Sequence, residues 1–231
     1  MSIENFIWLA SGSPRRRELV GLTGLAFRVW PADLDETQQP GESPSDYVHR
    51  LAEEKARAVS AQAGDGSLIL AADTIVVDHG EVLGKPSDRD EAVLTLRRLR
   101  GRIHQVHTAI AVLRGGQQLL TDVCVTDVPM RAYSEAEIQA YVDSGDPFDK
   151  AGAYAIQNGA FHPVSALTGC YANVVGLPLC HLVRTLAQLE RGLAADVPQR
   201  CQQHLGYNCP VYRQVLAGAS GSQEKNEPES V

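Results

Sequence analysis

Residues 68–77 read Leu-Ile-Leu-Ala-Ala-Asp-Thr-Ile-Val-Val. A run of this length, apolar on both faces and rich in β-branched residues, predicts a strand buried between two layers, starting at Ser67. Asp78-His79-Gly80 then predicts a turn into a hairpin. Asp73 breaks the apolar run. A buried ionised carboxylate costs several kcal/mol unless it is paired, hydrogen-bonded or bound to metal. In isolation such an acid is most simply an ion-pair partner or a turn cap. Here Thr74 and the nearby Lys85 add further polar groups, and sheet edges in α/β folds are where ligands bind.

Outward from this strand, strand-like and helix-like stretches alternate, which makes the chain α/β, or mixed α+β. Ile7 to Ala10 is a short strand entering the loop Ser11-Gly12-Ser13-Pro14, which feeds a helix through Arg15 to Leu22. A second helix starts with Ser43 as N-cap and Pro44 at the first position, and runs to about Gln62. Ser87 is read as the cap of a third, with Asp90 three residues on, ending before Gly101. Ile103 to Leu113 and Gln117 to Thr126 are strands joined at Gly115-Gly116. Ser134 and Glu137 form a capping box for a helix ending near Gly145. Pro178 opens a helix to about Leu189, taken as the final one. Residues 1–190 form the domain that carries the chemistry. Residues 191–231 are a C-terminal extension whose last part, from Gly218, has the polar composition of disorder.

Three further features stand out. On the second helix Val48, Leu51, Ala52 and Val59 form the apolar stripe, and Lys55 falls on it. A lysine there either snorkels to water or points into a cleft to hold phosphate. The Ser11–Arg16 loop ends at a helix N-terminus, where free N–H groups and the dipole favour an anion. Arg15 and Arg16 add charge-assisted donors, yet positive charge is unfavourable at that end, so something negative should compensate it. Asp35-Glu36 could supply a second carboxylate, and Gly84-Lys85-Pro86 is a rigid turn presenting a cation. His104 and His107 face opposite sides of one strand and are read as structural.

The chain has 231 residues, 44% hydrophobic and 21% charged, with net charge −7. That size buries roughly 70% of the unfolded surface, so folding needs neither disulfide nor metal. The negative balance argues against coating nucleic acid or an anionic membrane. No window approaches the ~18 apolar residues of a membrane span, and Met1 to Leu9, with Glu4, does not read as a signal peptide. Five irregularly spaced cysteines fit reduced, mostly buried thiols in a cytoplasmic protein. Cys201 and Cys209, with His204 between them, have poor zinc spacing.

These stretches together resemble the Maf family of nucleotide pyrophosphatases over about residues 6 to 190. The matching segments are Leu-Ala-Ser-Gly-Ser-Pro-Arg-Arg (9–16), Asp-Glu (35–36), Gly-Glu-Ser-Pro to Leu-Ala-Glu-Glu-Lys-Ala (41–56) and Ala-Ala-Asp-Thr-Ile-Val-Val (71–77). Leu-Gly-Lys-Pro (83–86), Gly-Arg-Ile-His-Gln-Val-His-Thr (101–108), Asp-Lys-Ala-Gly-Ala-Tyr-Ala-Ile-Gln (149–157) and Asn-Val-Val-Gly-Leu-Pro-Leu (173–179) complete the set. The resemblance implies an elongated mixed sheet with flanking helices and a central cleft between two lobes, similar to inosine triphosphate pyrophosphatases. It implies a divalent cation (Mg²⁺ or Mn²⁺) and a homodimer. It makes Asp73 the catalytic aspartate and Arg15, Thr74 and Gln157 the specificity positions of the branch acting on dTTP and UTP. Phosphate binding then falls to Ser11, Ser13, Arg16, Lys55 and Lys85, and metal binding to Asp73 and Glu36. Cys170 and Asn158 depart from the family pattern. A 7-methylguanosine triphosphate pyrophosphatase, or a nucleotide-binding regulator of division without turnover, are the competing readings.

Overall fold

The computed structural model describes residues 6–64 and 66–218; the tail expected to be disordered lies, from residue 219, outside the described residues. In chain order the elements are β1 (Phe6–Leu9), α1 (Pro14–Gly21), β2 (Ala26–Val29), α2 (Pro44–Ala63), β3 (Leu68–Asp78), β4 (Glu81–Leu83), α3 (Arg89–Leu99), β5 (Ile103–Arg114) and β6 (Gln118–Pro129). Then come α4 (Glu135–Asp143), two 3₁₀ turns (Asp146–Asp149 and Ala151–Ala153), α5 (Tyr171–Val175), α6 (Leu179–Ala187), α7 (Val197–Leu205) and α8 (Tyr212–Leu216). The expected mixed α/β architecture is present.

The sheet has the order β2-β1-β3-β5-β6, and its topology makes the cleft. One edge of β3 pairs antiparallel with β5 from Leu68 to Val77. The other edge is shared. β1 runs parallel to it at Leu68–Leu70, and β4 returns antiparallel at Val76–Asp78. Between them, Ala71 to Ile75 have no strand on that side. The chain leaving β1 makes one more bond, Ala10 N to Leu70 O at 2.8 Å, and then departs into the Ser11–Pro14 loop. A gap therefore opens in the sheet beside Asp73 and Thr74.

The alternation of β3 sorts the core. Ile69, Ala71, Ile75 and Val77 pack under α2 with Val48, Ala52, Ala56 and Val59. The opposite face carries two clusters. One joins Ile7, Leu9, Leu70 and Val112 to α6 residues Leu179 and Leu182. The other joins Val76 and Val106 to Leu96 and Leu99 of α3, Tyr133 just before α4, Ile138 of α4 and Phe161 in the loop after it.

Two local readings shift. The N-cap of α3 is Asp88, not Ser87: Asp88 accepts from Glu91 N at 2.8 Å, while Ser87 donates through N and Oγ to Glu91 Oε2. The two short polar residues are adjacent, and the carboxylate is the stronger acceptor for the first free N–H groups. Secondly, α6 is not the last helix. In the extension, α7 and α8 follow, and Val197 and Cys201 are buried in the same cluster as β1 and α6. All five cysteines are free, and four are buried. The capping box at Ser134 is as expected, and so is the hairpin turn at His79-Gly80, where both residues take positive φ.

Candidate active site

The gap in the sheet opens into a cavity of about 600 Å³, within the range of small-molecule sites. It is lined by the Ser11–Arg16 loop, Glu36, Lys55, Asp73, Thr74, Lys85, Lys150, Tyr154 and Gly176, among others. Nine of the ten predicted site residues are thus brought together from five separated segments. The tenth, Gln157, is exposed and does not line it. The turn after Ala155 carries Gln157 outward, while Tyr154, three residues earlier, is the side chain that enters the wall.

Asp73 faces α2, as Ala71 and Ile75 do, and there it meets Lys55 from the apolar stripe. Lys55 Nζ lies 2.5 Å from Asp73 Oδ1 and 2.6 Å from Glu36 Oε1. Lys55 and Asp73 are each 7% exposed, so the pair is desolvated and mutually dependent. Burial opposes ionisation of Glu36, but the Lys55 bond and the charges of Lys55, Lys85 and Arg16 hold its carboxyl below the usual range. Tyr47 donates to the Glu36 carbonyl at 2.6 Å and fixes that loop. The phenol itself is pushed up, first by burial and then by the Asp73 and Glu36 charges.

At the mouth of α1, Ser13 is the N-cap, accepting from Arg16 N at 3.4 Å, with Pro14 at the first position. The Arg16 guanidinium is held by three acceptors. Nε donates to Gly176 O at 2.9 Å, one terminal nitrogen to Ser11 Oγ at 3.3 Å and the other to Thr74 Oγ1 at 3.0 Å. Desolvation lowers its pKa, with the Asp73 charge opposing. The compensation demanded by positive charge at a helix N-terminus comes from Asp73, Glu36 and the carbonyl end of α5. Arg15 also lines the cavity, and Lys85 lies exposed on its rim.

Among the described residues, no group of three His, Cys, Asp or Glu side chains could hold a metal. Asp73 and Glu36 nonetheless converge on one position, now taken by the Lys55 ammonium. Mg²⁺ takes hard oxygen ligands and commonly uses one or two carboxylates plus substrate phosphates, so this donor set fits it.

Several participants were missed from the sequence. Lys150 is 9% exposed and lines the cavity, its Nζ on Asp146 O, Asp146 Oδ1 and Asp149 Oδ1 at 2.5, 2.9 and 2.5 Å. Tyr154 accepts or donates across 2.9 Å to His104 Nε2. Neither His104 nor His107 lines the cavity: His104 backs Tyr154, and His107 meets Ser45 at 3.3 Å on the α2 side. The two departures from the family pattern sit off the cavity. Asn158 accepts from Ala160 N and Phe161 N and donates to Asp146, and Cys170 precedes α5 in the core. The signal for Lys150 was a lysine that follows two nearby acids, Asp146 and Asp149.

A family model described as Maf-like protein matches residues 6–189. The chain belongs to the Maf family. A dTTP/UTP pyrophosphatase of Geobacter sp. (strain M21) is 49% identical over 181 residues, covering 78% of this chain and 93% of that protein. One from Anaeromyxobacter dehalogenans (strain 2CP-1) is 51% identical over 181 residues, covering 77% of this chain and 91% of its own. Among solved structures, a HAM1 protein from Coxiella burnetii aligns over 91% of this chain and 96% of its own, at 16% identity and a TM-score of 0.43. That likeness is too loose to carry an argument. Within the Maf family match lie Asp73, Lys55 and the Ser11–Arg16 loop, and the extension with α7 and α8 lies beyond it.

Proposed function

We propose that this Maf protein hydrolyses a pyrimidine nucleoside triphosphate, dTTP or UTP, to the monophosphate and pyrophosphate. The observation that carries the reading is a single cavity in which a buried carboxylate, Asp73, faces Arg15, Arg16, Lys55 and Lys85. The relatives' names support the substrate class. Polyphosphate chemistry is mainly positioning and charge stabilisation, which convergent cations supply.

In this reading the triphosphate lies against the Ser11–Arg16 loop, taking donors from Ser11, Ser13 and Arg16. Arg15 and Lys85 reach it from the rim. A divalent cation held by Asp73 and Glu36 would add charge neutralisation on the phosphate oxygens. Asp73 uses Oδ1 for Lys55, which leaves Oδ2 free of protein partners among the described residues. That oxygen orients a water and takes its proton as the water oxygen bonds to the α-phosphorus. The bond from the α-phosphorus to the bridging oxygen breaks, and pyrophosphate leaves. Mg²⁺ or Mn²⁺ dependence, a homodimer and a cytoplasmic location belong to the same reading. No helix among the described residues is long and apolar enough to cross a membrane.

The test is pyrophosphate release from UTP, dTTP, CTP, GTP and 7-methyl-GTP, with Mg²⁺ and with EDTA. Release from UTP or dTTP that exceeds the purines and disappears in EDTA is the expected result. Preference for 7-methyl-GTP would install the modified-purine reading. Binding without release would favour the nucleotide-binding regulator.

A further inference from the structure

We propose that Thr108 and Asn173, which do not touch the cavity, are positioning residues that aim the Arg16 guanidinium at the triphosphate through Thr74. The inference rests on the pyrophosphatase reading and deepens it. Both residues are 0% exposed, and neither lines the cavity.

The hydrogen bonds permit one consistent direction. Thr108 Oγ1 donates to the main-chain oxygen of Asn173 at 3.0 Å. A hydroxyl has one proton, so in the 2.9 Å contact between Thr74 and Thr108 the donor must be Thr74. Thr74 then meets Arg16 only as an acceptor, which suits a guanidinium, since that group only donates. The order is therefore Arg16 to Thr74 to Thr108 to Asn173 O. The hydroxyl proton of Thr74 points into the protein and is not offered to a base. A specificity position implied by the family resemblance thus acts on Arg16 instead.

The far end is anchored. Asn173 Nδ2 donates to Val106 O on β5 and to Thr126 Oγ1 on β6, both at 2.9 Å. This fixes α5 to the sheet, and the carbonyl that follows α5, Gly176 O, holds Arg16 Nε. Gly176 has φ of +123°, and a Cβ there would lie 3.4 Å from Thr74 Oγ1 and 3.6 Å from Arg16 Nε. Those are ordinary contact distances, and it is the positive φ that calls for glycine there. Arginine carries five N–H donors, and three of Arg16's are used by Gly176, Ser11 and Thr74. Two remain, one on each terminal nitrogen, as a fork for phosphate oxygens.

A misplacement of about 1 Å at a positioning group can change rate by up to roughly 10²-fold. Thr108→Val keeps the side-chain volume and removes the relay. We expect roughly tenfold lower kcat/KM and weaker binding of inorganic tripolyphosphate, measured by calorimetry. Thr108→Ser, which keeps the hydroxyl, should return both to within about twofold of wild type. In an Arg16→Lys background, where no fork remains to be aimed, adding Thr108→Val should change either quantity by less than about twofold. If Thr108→Val does not fold, Thr74→Val removes the same link from a half-buried position and carries the same expectations. The proposal is overturned if the valine variant binds tripolyphosphate and turns over like wild type. It is equally overturned if Thr108→Val costs as much in the Arg16→Lys background as it does in wild type. Wild-type protein that binds tripolyphosphate but releases no pyrophosphate would end the pyrophosphatase reading alone, because the binding arm still reads the relay.

Discussion

Replacing Lys55 by Met keeps the length of the side chain and deletes its charge. In the wild type the ammonium bridges Asp73 Oδ1 at 2.5 Å and Glu36 Oε1 at 2.6 Å. Glu36 is about half exposed (49%), so once unpaired it can be rehydrated. Asp73 cannot, at 7% exposure. Removing one partner of a buried pair destabilises by about 3–5 kcal/mol, because the other charge is left without compensation. Arg16 stays near Asp73 and offsets part of this, which favours the low end, about 3 kcal/mol. For a chain of this size that is a fall in Tm of roughly 6–12 °C. Urea unfolding in EDTA is the assay. The double variant Lys55→Met/Asp73→Asn should recover about half of the loss or more, since it removes the stranded charge. Added Mg²⁺ should stabilise the single variant more than wild type, as two carboxylates then face each other without their ammonium. A single variant within 0.5 kcal/mol of wild type in EDTA would refute the reasoning, where the threshold is the ordinary scatter of surface substitutions, about 0.5 kcal/mol.

Stability should also depend on acid. Burial lowers His104 and His181 to about 4 from 6.5, and both ring nitrogens of His181 lie buried without hydrogen-bond partners among the described residues. The unfolded chain binds these protons below pH 6.5 and the folded chain only near 4, so stability is intact above 6.5 and declines as pH falls between the two values. Denaturant titrations should show a loss of roughly 1.5 kcal/mol per histidine from pH 6.5 to 5, and a flat profile would contradict the burial argument. Gln157→Ala should leave tripolyphosphate affinity within about twofold of wild type, because the residue lies off the cavity; a loss at the scale of a charged hydrogen bond, about 1.5–3 kcal/mol, would place it at the phosphates. Val197→Ala in the extension should destabilise the whole domain by about 2 kcal/mol in one cooperative transition, since Val197 is 1% exposed beside β1 and α6. A separate early transition would show the extension to be an independent unit.

Most of the site was legible because its chemistry sits against local pattern. Asp73 within an aliphatic strand and Lys55 on an apolar helix stripe each conflict with burial, and the two conflicts resolve each other at 2.5 Å. The Ser13 cap and Pro14 announce α1 by chemistry confined to neighbouring residues. What escaped depends on distant pairing. The cleft exists because β1 and β4 share one edge of β3 and leave Ala71–Ile75 open, and no local window encodes which strand lies beside which. Thr108 and Asn173 act through partners 65 and 67 residues away, such as Asn173 O and Val106 O, so their polarity reads locally as ordinary strand and helix-end composition. Gln157 lies off the cavity lining for a related reason, since the resemblance names a position but not the side of the turn on which it emerges. The helices α7 and α8 were hidden by a mixed composition, although Asp196 and Pro198 mark the start of α7 as clearly as Ser43 and Pro44 mark α2.

Asp73→Asn removes the charge and keeps the shape, so it isolates the carboxylate on which the mechanism depends. The measurement is steady-state pyrophosphate release from UTP with saturating Mg²⁺, beside circular dichroism to show that the fold is retained. The expected result is a folded protein whose kcat is lower by roughly 10² or more, the scale of losing a positioned base. A folded variant that turns over UTP at near the wild-type rate would contradict the account at its centre.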